Sequence, residues 1–389
     1  MSNNRDRKMD FPTVRITEGT TNLYVPDLSY YKENESDFLP TKAPIFYNPK
    51  MEFSRDLSVV ILRLILKEPS AICDLLSSTG VRAIRYANET PLNHTVYAND
   101  GNKYSKEIIE KNRELNNLKN VIVSNDGANS YLIANRSKFD VIDIDPYGSP
   151  VNFIENSLRA LKKVGYLFIT ATDTATLCGV YPKTCQRRYG THVARTQWIH
   201  ELAVRILIGF VINISGRMNR SARPIFSYAK EHYFRIYFKI EKGIKKAEDA
   251  VNAVAILEYC SNCLGVRLLH TTSCSCPNSS KSLLGPLYIG NLYDKTLLEN
   301  IRSQIDQSEF TSSKRIKKMI ELILDGDVLD IVGAYDLHQI AKKEKGSSIK
   351  NITSTINELR TEGYKAGRTH FNVNAIKTDA DVKKIMDLK

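Results

Sequence analysis

The stretch from Ala71 to Asn99, AICDLLSSTGVRAIRYANETPLNHTVYAN, decides the fold class. Short apolar runs at residues 71–76 and 94–99 are typical of buried strands, and the apolar spacing of residues 81–89 between them is that of a helix. A strand, a helix and a second strand in succession form a βαβ unit, in which the two strands are parallel. We therefore predict an α/β protein.

The same alternation continues along the chain. Further strands are predicted at residues 120–124, 139–145 and 165–171, and further helices at residues 103–116, 151–161 and 191–212. Two alternating segments at residues 224–228 and 232–240 flank a polar turn and predict an antiparallel hairpin at the edge of the sheet. Residues 1–243 are therefore predicted to form a Rossmann-like domain with a mostly parallel sheet.

A second, smaller α+β domain is predicted for residues 244–389. The chain of 389 residues exceeds the usual ~100–200 residues per domain, and the charged, glycine-containing stretch at residues 242–249 marks a change of composition. Helical patterns at residues 337–342 and 349–362, followed by a β-like segment at 369–373, resemble a helix-turn-helix with a trailing wing.

Composition limits the function classes. With 42% hydrophobic and 25% charged residues, the chain is typical of a globular protein and not of a collagenous or disordered one. A net charge of +12 favours a polyanionic partner such as nucleic acid, although lysines that merely solvate the surface give the same count. No apolar run of ~20 residues and no secretory signal is visible, which predicts a cytoplasmic protein with no membrane contact. No obligate protein partner is inferred.

Acidic residues follow three of the predicted strands. Ligands of a doubly wound sheet bind outside the carboxyl ends of the strands. Asp74 and Gly80 follow the first strand, Asp100 the second, and Asp126 with Gly127 the third. A carboxylate after the second strand suits two ribose hydroxyls, and a carboxylate with backbone amides after the third suits an adenine edge. Each aspartate alone is also a common turn or cap residue, but three in register predict nucleoside binding. The dinucleotide fingerprint G-x-G-x-x-G is missing.

The fourth strand ends in the motif Asp143-Ile-Asp145-Pro146-Tyr147-Gly-Ser-Pro150. Because Pro146 cannot donate a ladder hydrogen bond, the strand ends there and leaves neighbouring carbonyls free as acceptors. A carboxylate and a carbonyl can together accept both hydrogens of an exocyclic amine, while Tyr147 stacks on the attached base. This arrangement favours methylation of an amine. The alternative is a plain strand-ending turn, because Asp-Pro and Tyr-Gly are common in turns.

Four cysteines are close together in the sequence of the second domain. Their order, Cys260-Ser-Asn-Cys263, ten residues, then Cys274-Ser-Cys276, suits a structural zinc ion. The second pair has one spacer residue where two are more usual, so His270 is an alternative ligand, and four reduced thiols without a metal remain the other interpretation. Cys178 and Cys185, in the predicted loop after the fifth strand, are expected to be packing residues.

Three basic segments are candidates for RNA phosphate contacts, with a solvated surface as the alternative for each. They are Lys183, Arg187 and Arg188; Arg217, Arg220 and Arg223; and Lys314, Arg315, Lys317 and Lys318.

Six segments between about Glu18 and Asp294 carry a family resemblance: Phe46–Asp56, Ser78–Arg85, Tyr97–Asp100, Asp143–Pro150, Ala171–Gly179 and Gly285–Gly290. On these segments the chain resembles the tRNA guanine-N2 dimethyltransferase family, which modifies guanosine at tRNA position 26 with S-adenosyl-L-methionine. The resemblance implies a class I methyltransferase domain in residues 1–243 and a tRNA-binding domain in residues 244–389.

The resemblance also implies roles for single residues. Arg55, Arg82, Asp100, Asp126 and Gly127 would hold the methyl donor, in addition to the Asp74 and Gly80 discussed above. Asp145 would be the catalytic carboxylate with the Pro146 carbonyl beside it, and Phe46 and Tyr147 would sandwich the guanine. The family more often has Phe at the position of Tyr147, so stacking is preserved while a hydroxyl is added.

Two other functions stay open at this point. One is an amino-methyltransferase acting on DNA or another RNA, whose motif has a second proline that this chain lacks. The other is a nucleic-acid-binding regulator with a vestigial methyltransferase fold, which the joint presence of Asp100, Asp126 and Asp145 argues against. The residues alone do not say whether one or two methyl groups are added.

Overall fold

The computed structural model describes residues 11–32, 39–269, 271, 274–307, 310–343 and 351–388. Contacts between residues group the chain into two compact units. Unit one comprises Met1–Asp145, Asn156–Leu167 and Asn300–Lys317; unit two comprises Pro146–Glu155, Phe168–Glu299 and Lys318–Lys389. The domain boundary expected at residue 243 stays a prediction.

The strands are β1 Thr13–Glu18, β2 Thr21–Pro26, β3 Ala71–Asp74, β4 Thr95–Asn99, β5 Val121–Ser124, β6 Phe139–Ile144, β7 Leu161–Ala171, β8 Arg220–Lys230, β9 Tyr233–Lys242, β10 Val254–Cys260, β11 Val266–Leu268, β12 Lys281–Tyr288, β13 Tyr335–Asp336, β14 Ala366–Arg368 and β15 Ala375–Thr378. The α-helices are α1 Glu52–Ile65, α2 Val81–Glu89, α3 Ser105–Leu115, α4 Ala128–Ala134, α5 Val151–Ala160, α6 Thr174–Leu177, α7 Pro182–Tyr189, α8 Ile199–Gly216, α9 Ile244–Asn252, α10 Lys295–Asp306, α11 Ser313–Leu322, α12 Leu337–Lys343, α13 Ile352–Thr361 and α14 Val382–Asp387.

The main sheet has seven strands in the order β5-β4-β3-β6-β7-β9-β8. β3 pairs in parallel with β4 and β6, and β4 pairs in parallel with β5, whereas β8 and β9 form an antiparallel hairpin. The predicted α/β fold with a mostly parallel sheet and an edge hairpin is thus confirmed. The chain runs outward from β3 to β5 and then returns to β6 on the other side of β3, so the topological switch point lies between β3 and β6, where such sheets bind ligands.

A buried ionic network in unit one joins the hairpin β1–β2 to helices α1 and α2. Arg85 is fully buried and forms ion pairs with Glu18, Asp56 and Glu89 at 3.3, 2.7 and 2.8 Å. Arg55 pairs with Glu18 at 2.5 Å. Because a buried charge is tolerated only when it is paired, this network fixes the position of the N-terminal segment.

Three smaller sheets complete the fold. β1 pairs with β2, and the orders β11-β10-β12 and β13-β15-β14 describe two three-stranded antiparallel sheets of unit two. The β-like segment predicted at residues 369–373 is wrong as a strand: it lies in the turn between β14 and β15. The break predicted between the two C-terminal helices falls in residues 344–350, outside the described residues.

Helix α8 begins at Ile199, eight residues later than the predicted helix of residues 191–212. The segment before it is held by a non-local contact, because His192 forms a β-bridge with Gly285. By length and composition α8 is apolar enough to cross a membrane, but 67% of it is buried inside the fold. A core helix has these same properties, so α8 gives little reason to infer a membrane span.

Candidate active site at the carboxyl ends of the parallel strands

The turn between β3 and α2 forms the first part of the site. Gly80 has a φ of +76°, which favours glycine, and a Cβ there would lie 2.8 Å from the side chain of Ile109. In the same turn the backbone N–H of Ser78 donates to Oδ2 of Asp100 at 2.8 Å, and the N–H of Asn102 donates to Oδ1 at 2.7 Å. Two backbone amides therefore hold the Asp100 carboxylate at the end of β4.

Asn99 connects the ends of three neighbouring strands. Its buried side chain accepts a hydrogen bond from the N–H of Asp126 at 3.1 Å and donates to the carbonyls of Asp126 and Leu75 at 3.0 and 3.3 Å. Asp126 and Gly127, the residue before α4, are exposed. The structure thus brings the residues predicted for nucleoside binding to one edge of the sheet in unit one.

The end of β6 carries a cluster of charges around Arg82. The guanidinium of this buried arginine donates to Oδ2 of Asp145 at 2.5 Å and lies 3.8 Å from Oδ2 of Asp143. The hydroxyl of Tyr86 donates to the same oxygen of Asp143 at 2.6 Å. Asp145, the predicted catalytic carboxylate, keeps a side chain 22% exposed while its orientation is fixed from behind.

Asp74 adds a third carboxylate to this cluster. It is the register partner of Asp143 across β3 and β6, and it is 1% exposed. Its Oδ2 has no hydrogen-bond partner among the described residues. Burial, together with the charge of Asp143, raises the pKa of Asp74 to about 7, against the opposing effect of Arg82. The switch point therefore offers a buried acceptor that shares one cation with two other carboxylates.

Arg55 lies on α1 and takes part in the ionic network. Its guanidinium donates two hydrogen bonds to Glu18, at 2.7 and 2.5 Å, and reaches the carbonyl of Asn48 at 3.2 Å. The role implied for Arg55 in donor binding stays a prediction.

Phe46 is tied to the turn that holds Asp100. Its carbonyl accepts a hydrogen bond of 2.5 Å from the hydroxyl of Ser78, and 39% of the residue is exposed. The backbone of this aromatic residue is thereby attached to the turn of unit one that carries Gly80.

In unit two the motif continues as a turn with one projecting ring. Pro146 and Pro150 are buried, whereas Tyr147 between them is 80% exposed. Gly148 has a φ of +97°, and its backbone is bracketed by Thr172, whose Oγ1 accepts from the Gly148 N–H at 2.6 Å and whose own N–H donates to the Gly148 carbonyl at 2.9 Å.

The four cysteines of the predicted metal site converge in unit two. Their Sγ atoms all lie within 4.8 Å of one another; they belong to Cys260, Cys263, Cys274 and Cys276. Burial raises the pKa of Cys260, but hydrogen bonds from Ser280 and from the backbone of neighbouring residues outweigh it and lower the pKa to about 6. The alternative ligand His270 lies outside the described residues. Cys185 is fully buried, as expected of a packing residue, whereas Cys178 is only partly buried.

The basic segments differ in exposure. Lys183 and Arg187 are exposed on α7, which sequence patterns treated as a loop. Arg220, in contrast, is 8% exposed, and Arg223 pairs with Asp294 at 3.3 Å, so these arginines do not form one open patch.

Part of the third basic segment is engaged within unit one. Lys317 pairs with Asp306 at 2.7 Å, and Arg315 donates to the hydroxyl of Ser312 at 3.0 Å.

Sequence patterns missed Asn99, Ser78 and Tyr86 as site residues. Each acts through a partner from another strand or helix, and such a contact leaves no local pattern. Asn99 could have been noticed, because it is a polar residue inside an apolar strand directly before Asp100.

Known proteins resemble this chain over nearly its whole length. Residues 19–389 match a family model described as "N2,N2-dimethylguanosine tRNA methyltransferase". A protein of Methanocaldococcus jannaschii named tRNA (guanine(26)-N(2))-dimethyltransferase is 35% identical over 381 residues, 96% of this chain and 97% of that protein. A protein of Methanosphaera stadtmanae with the same name is 34% identical over 96% of this chain and 95% of its own length.

One solved structure is similar in both sequence and fold. It is Trm1 from Pyrococcus horikoshii, determined as a complex with S-adenosyl-L-methionine. The similarity covers 96% of this chain and 99% of that one, with a TM-score of 0.85 and 29% sequence identity.

Proposed function

The chain belongs to the N2,N2-dimethylguanosine tRNA methyltransferase family, and on this premise we propose that it transfers methyl groups from S-adenosyl-L-methionine to the exocyclic N2 amine of guanosine 26 in tRNA. The observation that carries the proposal is the Asp145 carboxylate, which Arg82 holds in a fixed orientation at the switch point directly before Pro146 and Tyr147. The names of relatives with 31–35% identity over nearly the full length support the position and the two methyl groups.

The residues present fit the methyl donor. We assign Asp100 to the ribose hydroxyls, and Asp126 with Gly127 to the adenine edge. We assign Asp74, whose buried Oδ2 has no hydrogen-bond partner among the described residues, to the positive end of the molecule. When bound, S-adenosyl-L-methionine supplies an electrophilic methyl group on a sulfonium. This chain's part is to hold that molecule by its ribose, base and charge, and to exclude other orientations.

Asp145 acts on the acceptor. The N2 lone pair of guanine is delocalised into the ring and is a poor nucleophile. Carboxylate and Pro146 carbonyl oxygens accept the two N–H hydrogens, which turns the lone pair toward the incoming methyl group. The amine becomes acidic only as the new bond forms, so an ordinary carboxylate is a sufficient proton acceptor. Arg82 keeps Asp145 in place and stabilises its charge.

Phe46 and Tyr147 are assigned to stacking. A guanine inside a folded tRNA must leave its stack, at a cost of a few kcal/mol. Stacking on aromatic rings offsets this by about 1–3 kcal/mol per contact, and both residues are exposed, Phe46 to 39% and Tyr147 to 80%.

Addition of a second methyl group requires that the monomethylated amine rebind. That amine retains one N–H, so it makes only one of the two hydrogen bonds. We assign this remaining hydrogen bond to Asp145, because the charged acceptor is the stronger partner.

The cysteine cluster is assigned to structural zinc. Tetrahedral Zn–S bonds of about 2.3 Å place sulfurs about 3.8 Å apart, which fits four Sγ atoms within 4.8 Å. The ion would tie β10 to the loop before β12. We assign tRNA binding to residues 244–389 and a cytoplasmic location to the protein; none of the seven cysteines forms a disulfide, which suits a reducing compartment.

The test is methylation of two transcripts of one tRNA, with guanosine or adenosine at position 26. We expect transfer from labelled S-adenosyl-L-methionine to the first and none to the second. Equal labelling of both transcripts would mean that the methylated nucleoside lies elsewhere in the tRNA. If the protein binds the methyl donor but labels neither transcript, DNA or another RNA would be favoured as the substrate.

A further inference from the structure

Within unit two, a chain of hydrogen bonds leads from the turn that carries Tyr147 to helix α7. The hydroxyls of Ser149 and Tyr189 lie 2.8 Å apart. The Tyr189 hydroxyl donates to the Asp173 carboxylate, with distances of 2.9 and 3.0 Å to its two oxygens. Arg188 completes the chain, with its guanidinium 3.3 Å from Asp173.

The directions of these hydrogen bonds are fixed by chemistry. An ionised carboxylate only accepts, so the single hydroxyl proton of Tyr189 points to Asp173. Ser149 must then donate to Tyr189. Burial raises the pKa of Tyr189, so the phenol stays protonated and keeps its role as donor. Tyr189 is 4% exposed and packs edge-on against Phe210, which leaves its ring little freedom.

The turn itself combines an open backbone with a few fixed points. Gly148 adopts a φ of +97°, and an added Cβ there would meet nothing within 4 Å. Tyr147 is 80% exposed. The contacts that hold it include those of Thr172 with Gly148 and of Tyr189 with Ser149.

We infer that Tyr189 and Asp173 are positioning residues for methyl transfer: together with Ser149 they hold the Pro146–Pro150 turn so that Tyr147 and the Pro146 carbonyl are preorganised for the guanine. This inference rests on the proposed function. Neither side chain needs to touch the substrate. A turn that is already ordered loses no conformational freedom when the guanine binds. A misplacement of the reacting groups by about 1 Å can lower the rate about 100-fold.

The test combines Tyr189→Phe, Ser149→Ala and the double variant, with Tyr288→Phe as the matched control. Tyr288 also carries a buried hydroxyl of unit two, which donates to the Asn291 carbonyl at 3.1 Å. We expect each single variant to lower kcat for tRNA methylation about tenfold, with the KM for S-adenosyl-L-methionine unchanged. The double variant should be no slower than either single variant, because each substitution alone already breaks the same chain of hydrogen bonds. Ser149→Thr, which restores the hydroxyl, should recover most of the rate.

Hydrogen–deuterium exchange of the peptide covering residues 146–155 gives a readout that does not depend on activity. Exchange should be faster in Tyr189→Phe and Ser149→Ala than in the wild type, and unchanged in Tyr288→Phe. Multiplied effects in the double variant, or exchange equal to that of the control, would overturn the inference. If the wild type fails to methylate tRNA, the proposed function fails, while the exchange experiment still decides whether Tyr189 orders the turn.

Discussion

The Arg82 guanidinium donates a hydrogen bond of 2.5 Å to Oδ2 of Asp145 and lies 3.8 Å from Asp143. The buried charge of Arg82 is thus shared by two carboxylates, that of Asp143 within β6 and that of Asp145 directly after it. The Asp145 side chain is still 22% exposed while Arg82 holds one of its oxygens, which suits a group that positions an amine.

Replacement of Arg82 by Met should destabilise the protein strongly. It leaves Asp143 and Asp145 without their cation in a buried setting, a change that typically costs about 3–5 kcal/mol. The free energy of unfolding from urea titration measures this loss. Arg136→Met, at an exposed site of unit one, should change that free energy by less than about 0.5 kcal/mol. A loss for Arg82→Met no larger than the control would contradict the assigned role.

Asp74 should make stability depend on pH. Its pKa is raised from 3.8 to about 7 in the folded state, so between these values the folded state holds a proton that the unfolded state has released. The contribution of Asp74 to the free energy of unfolding must therefore fall as pH rises from about 4 to about 7 and level off above.

Asp74→Asn tests this effect, because the variant lacks the titrating carboxyl and keeps the other ionisable groups of the protein. The variant should gain stability relative to the wild type as pH rises across this range, by an amount on the order of 4 kcal/mol. Thermal or urea unfolding at several pH values measures the difference. A constant difference would mean that Asp74 is ionised throughout.

Much of the site could be predicted because its residues follow strands in the sequence. Asp74, Asp100 and Asp145 each come directly after or at the end of an apolar run, and a parallel sheet brings such ends together. The network around Arg85 could not be predicted, since Glu18 lies far away in the chain. The predicted start of α8 was wrong for the same reason. The bridge between His192 and Gly285 is a contact distant in sequence, and it keeps the residues before Ile199 out of the helix.

The cysteine cluster should bind one zinc ion per chain. Cys276→Ser should lower the zinc content, measured by mass spectrometry of the metal, and lower the melting temperature, because a structural ion contributes folding free energy. Cys178→Ser, outside the cluster, should keep the ion. Two results together would contradict this assignment: purified wild-type protein that contains no metal, and a melting temperature that is the same with and without a chelator.

The exposed basic face of α7 should contact tRNA phosphates. Arg187→Glu should weaken tRNA binding about tenfold and reduce the slope of log affinity against log salt by about 1, as expected for one lost phosphate contact. Binding of S-adenosyl-L-methionine should be unchanged. Lys67→Glu, an exposed residue at the amino end of β3, has the same change of charge and should leave the slope as it is. If both variants changed tRNA binding equally, the change would reflect net charge and not a phosphate contact of Arg187.

The most direct test is identification of the product nucleoside by mass after incubation of tRNA transcript with S-adenosyl-L-methionine and the wild type or Asp145→Asn. The account predicts N2,N2-dimethylguanosine at position 26 with the wild type, and a rate at least about 100-fold lower with the variant, although the variant still binds the methyl donor. Dimethylguanosine formed at the same rate by both proteins would contradict the assignment of Asp145, and a different modified nucleoside would contradict the proposed reaction.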